Sequence, residues 1–553
     1  MVTVKKAPGF CLFLLLAALF HTLPAEHCNG QAGDYYYRVY FRDKGGSNAV
    51  TAYATEMLLS SKAIARRIKY GIPCPDFHDV PVFKPYLETI AGLGFSLHTS
   101  SKWLNSALFK SNDPDAKELL ESLNFVSEVV VVKKPVTKSN YIDKLDVPYQ
   151  ENSLPVFDNP IVMLNGKTIH DSGFDGRGVN IAVLDGGFFK ADVISSLYHL
   201  RHDNRIKGTY DFVRKTENVY RYHNHGTAVL SVLAGDFPGY IRGSAPGASF
   251  WLFITEDTST EFPAEEDYWA AAAEYADSSG VDIISTSLGY STFDDPEMDY
   301  KFPAMDGNTT FIARAAEIAS SKGILVVASA GNERNKPWVR IVSPSDGKNV
   351  ISAGAVDANN IISSFSSAGP SADNRIKPDN VAQGVSVTVQ VNEKSFSVAS
   401  GTSFSCPVLS GMCACILQAV PDASPRDIIN ALHSCGDKAW TPDSLYGYGL
   451  PDMRKVIDTL QKKLVFLKEN PVTIAPNPFS DRTMIVFSED PGTLTVDIFS
   501  ANGTKIFSRS FRDYAGRTFI LDNNIIRNQG LYLVRISTSK GSSVHRIIKL
   551  PGR

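Results

Sequence analysis

Val179-Asn180-Ile181-Ala182-Val183-Leu184-Asp185 is a near-continuous apolar run that ends on a carboxylate. A strand with one face in water alternates polar and apolar residues, whereas a run without alternation suits a strand covered on both faces, as in a parallel sheet. Similar runs recur at Ser249 to Ile254, Ile283 to Leu288 and Gly323 to Ala330, with helix-like segments at Glu266 to Ser279 and Thr309 to Ser321 between them. Strands alternating with helices predict an α/β unit, a parallel sheet with helices on both faces, over the middle of the chain. Active groups in such sheets gather at the carboxyl ends of the strands. Asp185 and Asn332, each just past an apolar run, are therefore placed for chemistry.

The character of the chain changes on either side of this core. Asp34 to Phe41 is aromatic and β-branched, Ser60 to Ile68 opens on a capping serine, and Gly94 to Thr99 and Phe125 to Val132 flank a helix-like Ala116 to Leu123. These segments predict a small α+β unit. Pro135 to Pro155 is polar and without sustained periodicity, as an exposed linker is. Beyond Val465, short alternating stretches at Met484 to Phe487, Leu494 to Phe499, Lys505 to Phe507, Gly530 to Ile536 and Ser543 to Leu550 are punctuated by Asn502-Gly503 and Asn523-Asn524, which predicts a small all-β sandwich. The first thirty residues have the form of a secretory signal: Lys5 and Lys6, the apolar Phe10 to Phe20, then a short small-residue region. The apolar part falls short of the roughly 20 residues a membrane span needs. The competing reading is an uncleaved anchor, and no later segment approaches a spanning length.

With 553 residues the chain is too long for a single core, and its 43% hydrophobic and 20% charged content is ordinary for a globular protein. A net charge of -3 argues against nucleic acid as a main partner, which would favour a basic surface. Of the seven cysteines, Cys11 leaves with the signal and the others lack metal-site spacing. Cys406, Cys413 and Cys415 read as filler in a small-residue core helix. Export permits a disulfide, but the spacing names no pair.

Two further segments complete a set of reactive groups. His225-Gly226-Thr227 enters the small apolar stretch Ala228 to Gly235, and Gly401-Thr402-Ser403-Phe404-Ser405-Cys406-Pro407 precedes the small-residue helix Pro407 to Leu417. A serine hydroxyl is a weak nucleophile until a neighbouring base takes its proton, and histidine suits that task near neutral pH. A carboxylate then orients the imidazole and stabilises its cation. On that chemistry Ser403 is the nucleophile, His225 the general base and acid, and Asp185 the orienting group. Each has a plainer reading in isolation. Asp185-Gly186-Gly187 suits a turn, His225 with His223 a surface loop, Ser403 a helix cap and Asn332 a loop cap.

Taken together, Gly178 to Asp185, His225-Gly226-Thr227, Ala330-Gly331-Asn332-Glu333 and Gly401 to Pro407 resemble, in order and spacing, the signature segments of the subtilisin-like serine peptidases. Gly243 to Ala248, Ser287-Leu288-Gly289, Gly354 to Asp357 and Phe365 to Pro370 resemble supporting segments of the same family. The resemblance implies a side-chain oxyanion donor in Asn332, assisted by the Ser403 N–H. It also implies an extended substrate held along Ser287, Leu288 and Gly289. Gly186 departs from the family's common Ser or Thr, and Phe404-Ser405-Cys406 from its usual small or Met-containing sequence. Glu333, near the expected first pocket, hints at tolerance of basic side chains.

The α+β unit resembles the family's propeptides, and the last unit resembles the C-terminal sorting domain of type IX secretion. The resulting division is 1–30 signal peptide, 31–150 propeptide-like domain and linker, 151–463 catalytic domain and 466–553 sorting domain. The expected protein is a secreted or surface-attached endopeptidase that acts on protein or peptide substrates. It works without a cofactor, meets the type IX export machinery through its last unit, binds no nucleic acid and is a monomer. Structural calcium, common among relatives, has no assignable site in the sequence. The alternative is a surface-binding protein on a catalytically inactive scaffold.

Overall fold

The computed structural model describes residues 34–551 except 47–49, 51–52, 136–144, 146–148, 152–158, 394, 470, 489 and 515. The expected signal segment and most of the linker between 135 and 155 lie outside the described residues. In the N-terminal unit, β1 (Tyr35–Phe41), α1 (Ser61–Tyr70), α2 (Lys84–Gly92), β2 (Ser96–Ser101), β3 (Ser106–Ser111), α3 (Ala116–Glu121) and β4 (Val126–Lys133) form an α+β fold whose antiparallel sheet runs β2-β3-β1-β4. Ser60 caps α1 as its sequence suggests, accepting from the Ala63 N–H at 3.3 Å, and Gly71 closes the helix at φ 65°. The helix α2 and the strand β3 were not legible, because β3 is short and bounded by serines.

The central sheet has seven parallel strands. In chain order they are β6 (Asn180–Asp185), β7 (Ile206–Asp211), β8 (Ser249–Ile254), β9 (Ile283–Thr286), β10 (Leu325–Ser329), β11 (Val350–Val356) and β12 (Asn380–Gln383), the label β5 being kept for the pair Gln150–Glu151. Their spatial order is β12-β11-β10-β9-β6-β8-β7. Side chains alternate faces with period two. Ile181 and Val183 therefore pack with α4 (His225–Ala234) and α7 (Thr402–Ala419), while Ala182 and Leu184 pack with α5 (Ala264–Ser279) and α6 (Phe311–Ser321). Full burial of one such Val or Leu contributes about 1.5–3 kcal/mol. The apolar runs thus become strands covered on both faces. The chain leaves β6 towards β7 and β8 on one side and continues to β9, β10, β11 and β12 on the other. This reversal opens a crevice at the carboxyl ends of β6 and β9.

A small antiparallel sheet joins β13 (Val387–Val389), β14 (Ser397–Ala399) and β5 just before α7. The helices α8 (Pro425–Ser434) and α9 (Met453–Glu469) complete this unit. The last unit is a sandwich of β15 (Val472–Ala475), β16 (Arg482–Phe487) and β19 (Thr518–Asp522) against β17 (Gly492–Ser500), β18 (Lys505–Tyr514), β20 (Gly530–Thr538) and β21 (Gly541–Lys549).

One helix start needs correction. The sequence suggests a helix beginning at Pro407, but α7 begins at Thr402 and carries Ser403 in its first turn. Its 18 residues have the length and apolarity of a membrane span, contrary to the expectation that no later segment would. It is nonetheless 83% buried inside the protein and is a core helix.

Candidate active site

Asp185 is the last residue of β6 and is wholly buried. Its carbonyl accepts from the Thr255 N–H at 3.1 Å, which continues the pairing with β8. Carboxylate Oδ1 accepts from the Gly186 N–H at 2.7 Å and lies 2.7 Å from His225 Nδ1, leaving Oδ2 buried without a recorded partner among the described residues. His225 opens α4 and is 1% exposed. Its own N–H donates to His223 Nδ1 at 3.0 Å, while the His223 carbonyl accepts from the Phe189 N–H at 3.0 Å. The loop after Asp185 is thereby tied to the segment that delivers His225. Gly226 explains the glycine of the His-Gly-Thr segment: a Cβ there would stand 2.6 Å from the Gly187 carbonyl oxygen and 2.9 Å from Asp185 Cβ.

Ser403 sits at a helix N-terminus, where the first backbone N–H groups have no intrahelical partner. Among the described residues no backbone or side-chain group is recorded as accepting from its N–H. Its carbonyl has an unusual partner for a sequence reason. In an α-helix the N–H of residue 407 would bond this oxygen, but Pro407 has none. The Ser287 hydroxyl donates to it instead at 2.9 Å, and the Ser403 hydroxyl donates to the Ser287 carbonyl at 3.4 Å. The His225 ring lies 6.2 Å, centroid to centroid, from Phe404, the next residue of α7.

Asn332 follows β10 through Gly331, which has φ 104°, a conformation that favours glycine. Asn332 Oδ1 accepts from the Thr402 N–H at 2.9 Å and the Thr402 hydroxyl at 3.0 Å. With the oxygen so engaged, the amide NH₂ is the end left to donate beside the first turn of α7. Ser287, Leu288 and Gly289 directly follow β9, with Gly289 exposed, and no backbone–backbone bond engages Leu288 or Gly289 among the described residues. The contacts therefore link Asp185 to His225, His225 to the helix of Ser403, Ser403 to Ser287, and Thr402 to Asn332, while Leu288 and Gly289 follow Ser287 in the chain. Glu333 is committed locally, its carboxylate 2.9 Å from Lys336 Nζ.

Three carboxylates that sequence reasoning missed gather near this crevice. Glu256, Glu261 and Glu265 bring ligand-type oxygens within 4.8 Å of one another. Calcium takes six to eight oxygens, so carboxylates of this kind are of the right chemistry for part of such a shell. Glu256 meets the Tyr290 hydroxyl, Glu265 accepts from the Asp257 N–H at 3.0 Å, and Glu261 is engaged as well. The three residues are scattered over a loop and a helix start, without the spacing of a known ion-binding loop.

Burial keeps the neighbouring thiols inert. It pushes Cys406 up to about 11 and Cys413 up to about 12, and both are fully buried free cysteines, as core filler should be.

Three family models match the chain: the subtilase family over residues 176–449, the Bacteroidota peptidase S8 propeptide domain over 36–150, and the secretion system C-terminal sorting domain over 473–550. The chain is 30% identical over 318 residues to serine protease AprX of Bacillus subtilis (strain 168), covering 52% of this chain and 67% of that protein. It is 25% identical over 350 residues to subtilisin E of Bacillus subtilis (strain 168), covering 63% and 79%. It is 28% identical over 274 residues to the thermophilic serine proteinase of Bacillus sp. (strain AK1), covering 49% and 60%.

Proposed function

The chain belongs to the subtilase family, as a secreted or cell-surface serine peptidase with a propeptide and a C-terminal sorting domain, and from that premise we propose that it is an endopeptidase working through Asp185, His225 and Ser403. The observation that carries the assignment is the buried 2.7 Å contact between Asp185 Oδ1 and His225 Nδ1. A carboxylate on Nδ1 holds the proton there and leaves Nε2 as the base. Ser403 Oγ loses its proton to Nε2 as it attacks the scissile carbonyl, and the oxyanion is met by the Asn332 NH₂ and the Ser403 N–H. His225 then gives the proton to the leaving amine. Water, deprotonated in turn by His225, hydrolyses the acyl-enzyme. The unpaired backbone of Leu288 and Gly289 suits an extended substrate, which would add to it as a strand.

In this reading 31–150 is the removable propeptide and linker, 151–463 the catalytic domain and 466–553 the sorting domain that meets the type IX export machinery. The enzyme acts as a monomer on protein or peptide substrates, binds no nucleic acid and needs no cofactor for its chemistry. Were structural calcium bound, Glu256, Glu261 and Glu265 would supply oxygens and the ion would cross-link the loop to α5. The test is labelling with a serine-reactive fluorophosphonate after removal of the N-terminal unit. Labelling lost in Ser403→Ala is expected, and an unlabelled wild-type protein would return the chain to the inactive-scaffold alternative.

A further inference from the structure

The segment Ile341 to Ser343 is bonded to the chain that leaves β9 and to the chain that leaves β10. The Val342 N–H donates to the Ala330 carbonyl at 3.2 Å, just past the end of β10. Its neighbour Ser343 exchanges two bonds with Tyr290, the residue after Gly289: the Tyr290 N–H donates at 2.8 Å and the Ser343 N–H at 3.1 Å. The Val342 carbonyl accepts from the Ser345 N–H at 3.0 Å and from the Ser345 hydroxyl at 2.8 Å. Val342 is thus pinned to both strand ends, and a β-branched side chain has little rotamer freedom of its own.

Two glycines face this side chain. A Cβ on Gly331 would stand 3.0 and 3.1 Å from the two Val342 methyl carbons, and one on Gly289 would collide with Val342 Cγ2. Gly289 has no positive φ, so its missing Cβ serves space alone. Val342 is buried, and its methyls occupy the gap between the two glycines.

That gap is where a substrate would put a side chain, an inference that rests on the peptidase reading. A chain laid along Leu288 and Gly289, with its scissile carbonyl oxygen at the Asn332 amide, has the Cα of that residue between the two segments. Its side chain then enters between Gly289 and Gly331 and meets Val342. We propose that Val342 is a specificity-determining residue, which closes this pocket to all but the side chains of Gly, Ala and Ser. In an apolar pocket a single methylene too many or too few is worth about 10- to 200-fold in kcat/KM, and a pinned wall yields little to anything larger. Basic side chains fare no better, because Lys336 engages the Glu333 carboxylate at 2.9 Å. A lysine or arginine entering here finds the room taken by Val342 and the charge taken by Lys336.

The experiment expresses the full chain, removes its N-terminal unit, and compares two peptide anilides that differ only in Ala or Phe at the residue supplying the scissile carbonyl. Wild type should favour Ala at least about 100-fold in kcat/KM. Val342→Gly should move that ratio towards Phe by about 100-fold, and Val342→Ala, which covers a failure of the glycine variant to fold, by about tenfold. A wild type that prefers Phe, or a ratio that neither variant moves, would overturn the proposal. The same two peptides, ending in a free carboxylate at Ala or Phe, are also titrated against Ser403→Ala with and without the Val342 changes. Binding that favours Ala and is relaxed by Val342→Gly, in a chain whose Ser403 never takes the fluorophosphonate, would sink the enzyme reading and leave the pocket standing.

Discussion

Ser287→Ala removes the hydroxyl that serves the Ser403 carbonyl, the oxygen that Pro407 cannot reach with an N–H. A buried carbonyl left without a donor costs about 1–3 kcal/mol, against about 1 kcal/mol for an ordinary net hydrogen bond. Each kcal/mol is worth about 2–4 °C in Tm for a domain of 150–250 residues and less for one as large as 151–463, so a fall of a few degrees is expected. Unfolding is followed in a Ser403→Ala background, which keeps the carbonyl and prevents self-digestion. Turnover is measured in the active chain and should fall about tenfold, as the first turn of α7 loses one anchor of its nucleophile. The decisive comparison adds Pro407→Ala. That change restores an N–H four residues after Ser403, so the carbonyl again has a helical donor and Ser287→Ala should lose most of its cost. If Ser287→Ala costs the same with and without the Pro407→Ala change, the reasoning is refuted, whatever Pro407→Ala does alone.

Asn332→Leu should lower kcat about 100- to 1000-fold with little change in KM, as removal of an oxyanion donor does, and steady-state kinetics on a peptide ester checks this. Gly226→Ala should cost about 1–3 kcal/mol and about 100-fold in activity, because its Cβ meets the Gly187 carbonyl and Asp185, read by thermal unfolding and kcat/KM. Under the N-terminal sheet, burial pushes Glu266 up to about 7 from 4.5, so its contribution to the stability of the full chain grows as pH falls from 7 towards 4.5. Burial, with help from Lys110, Lys215 and Lys133, takes His98 down to about 3 from 6.5, so its contribution is lost as pH falls below 6.5. The two slopes oppose each other at about 1.4 kcal/mol per pH unit, and wild type should be nearly flat between pH 6.5 and 4.5 from these groups. His98→Gln should leave the Glu266 slope alone, so the full chain melts higher at pH 5 than at pH 6.5. A melting curve unchanged by the substitution would contradict this.

Much of the α/β core was legible because its strands are covered on both faces and their apolar runs say so. The strand β11 escaped, since Val-Ile-Ser-Ala-Gly-Ala-Val is small and interrupted, and a strand lying under α7 has little room for large side chains. Asp185, His225 and Ser403 stood out as chemistry at strand and helix ends. The bond from Ser287 to Ser403 did not, because it spans 116 residues and depends on a donor missing at a third position. The same holds for Arg66 and Asp277, separated by 211 residues. A charged pair on two helices reads in sequence as two solvated faces, and only docking turns it into one buried contact.

The thiols inside α7 have a practical consequence. Alkylation and disulfide exchange both require the thiolate, and Cys406, Cys413 and Cys415 combine full burial with raised pKa values. In the native chain an alkylating reagent therefore meets Cys74 and Cys435, the partly exposed described cysteines, while the three on the nucleophile helix stay silent. Loss of packing around Ser403 would bring them into reaction together. The chain thus carries its own mass-spectrometric reporter of active-site integrity, independent of any substrate, and an exported protein keeps these sulfurs out of mispairing only once that helix has found its place.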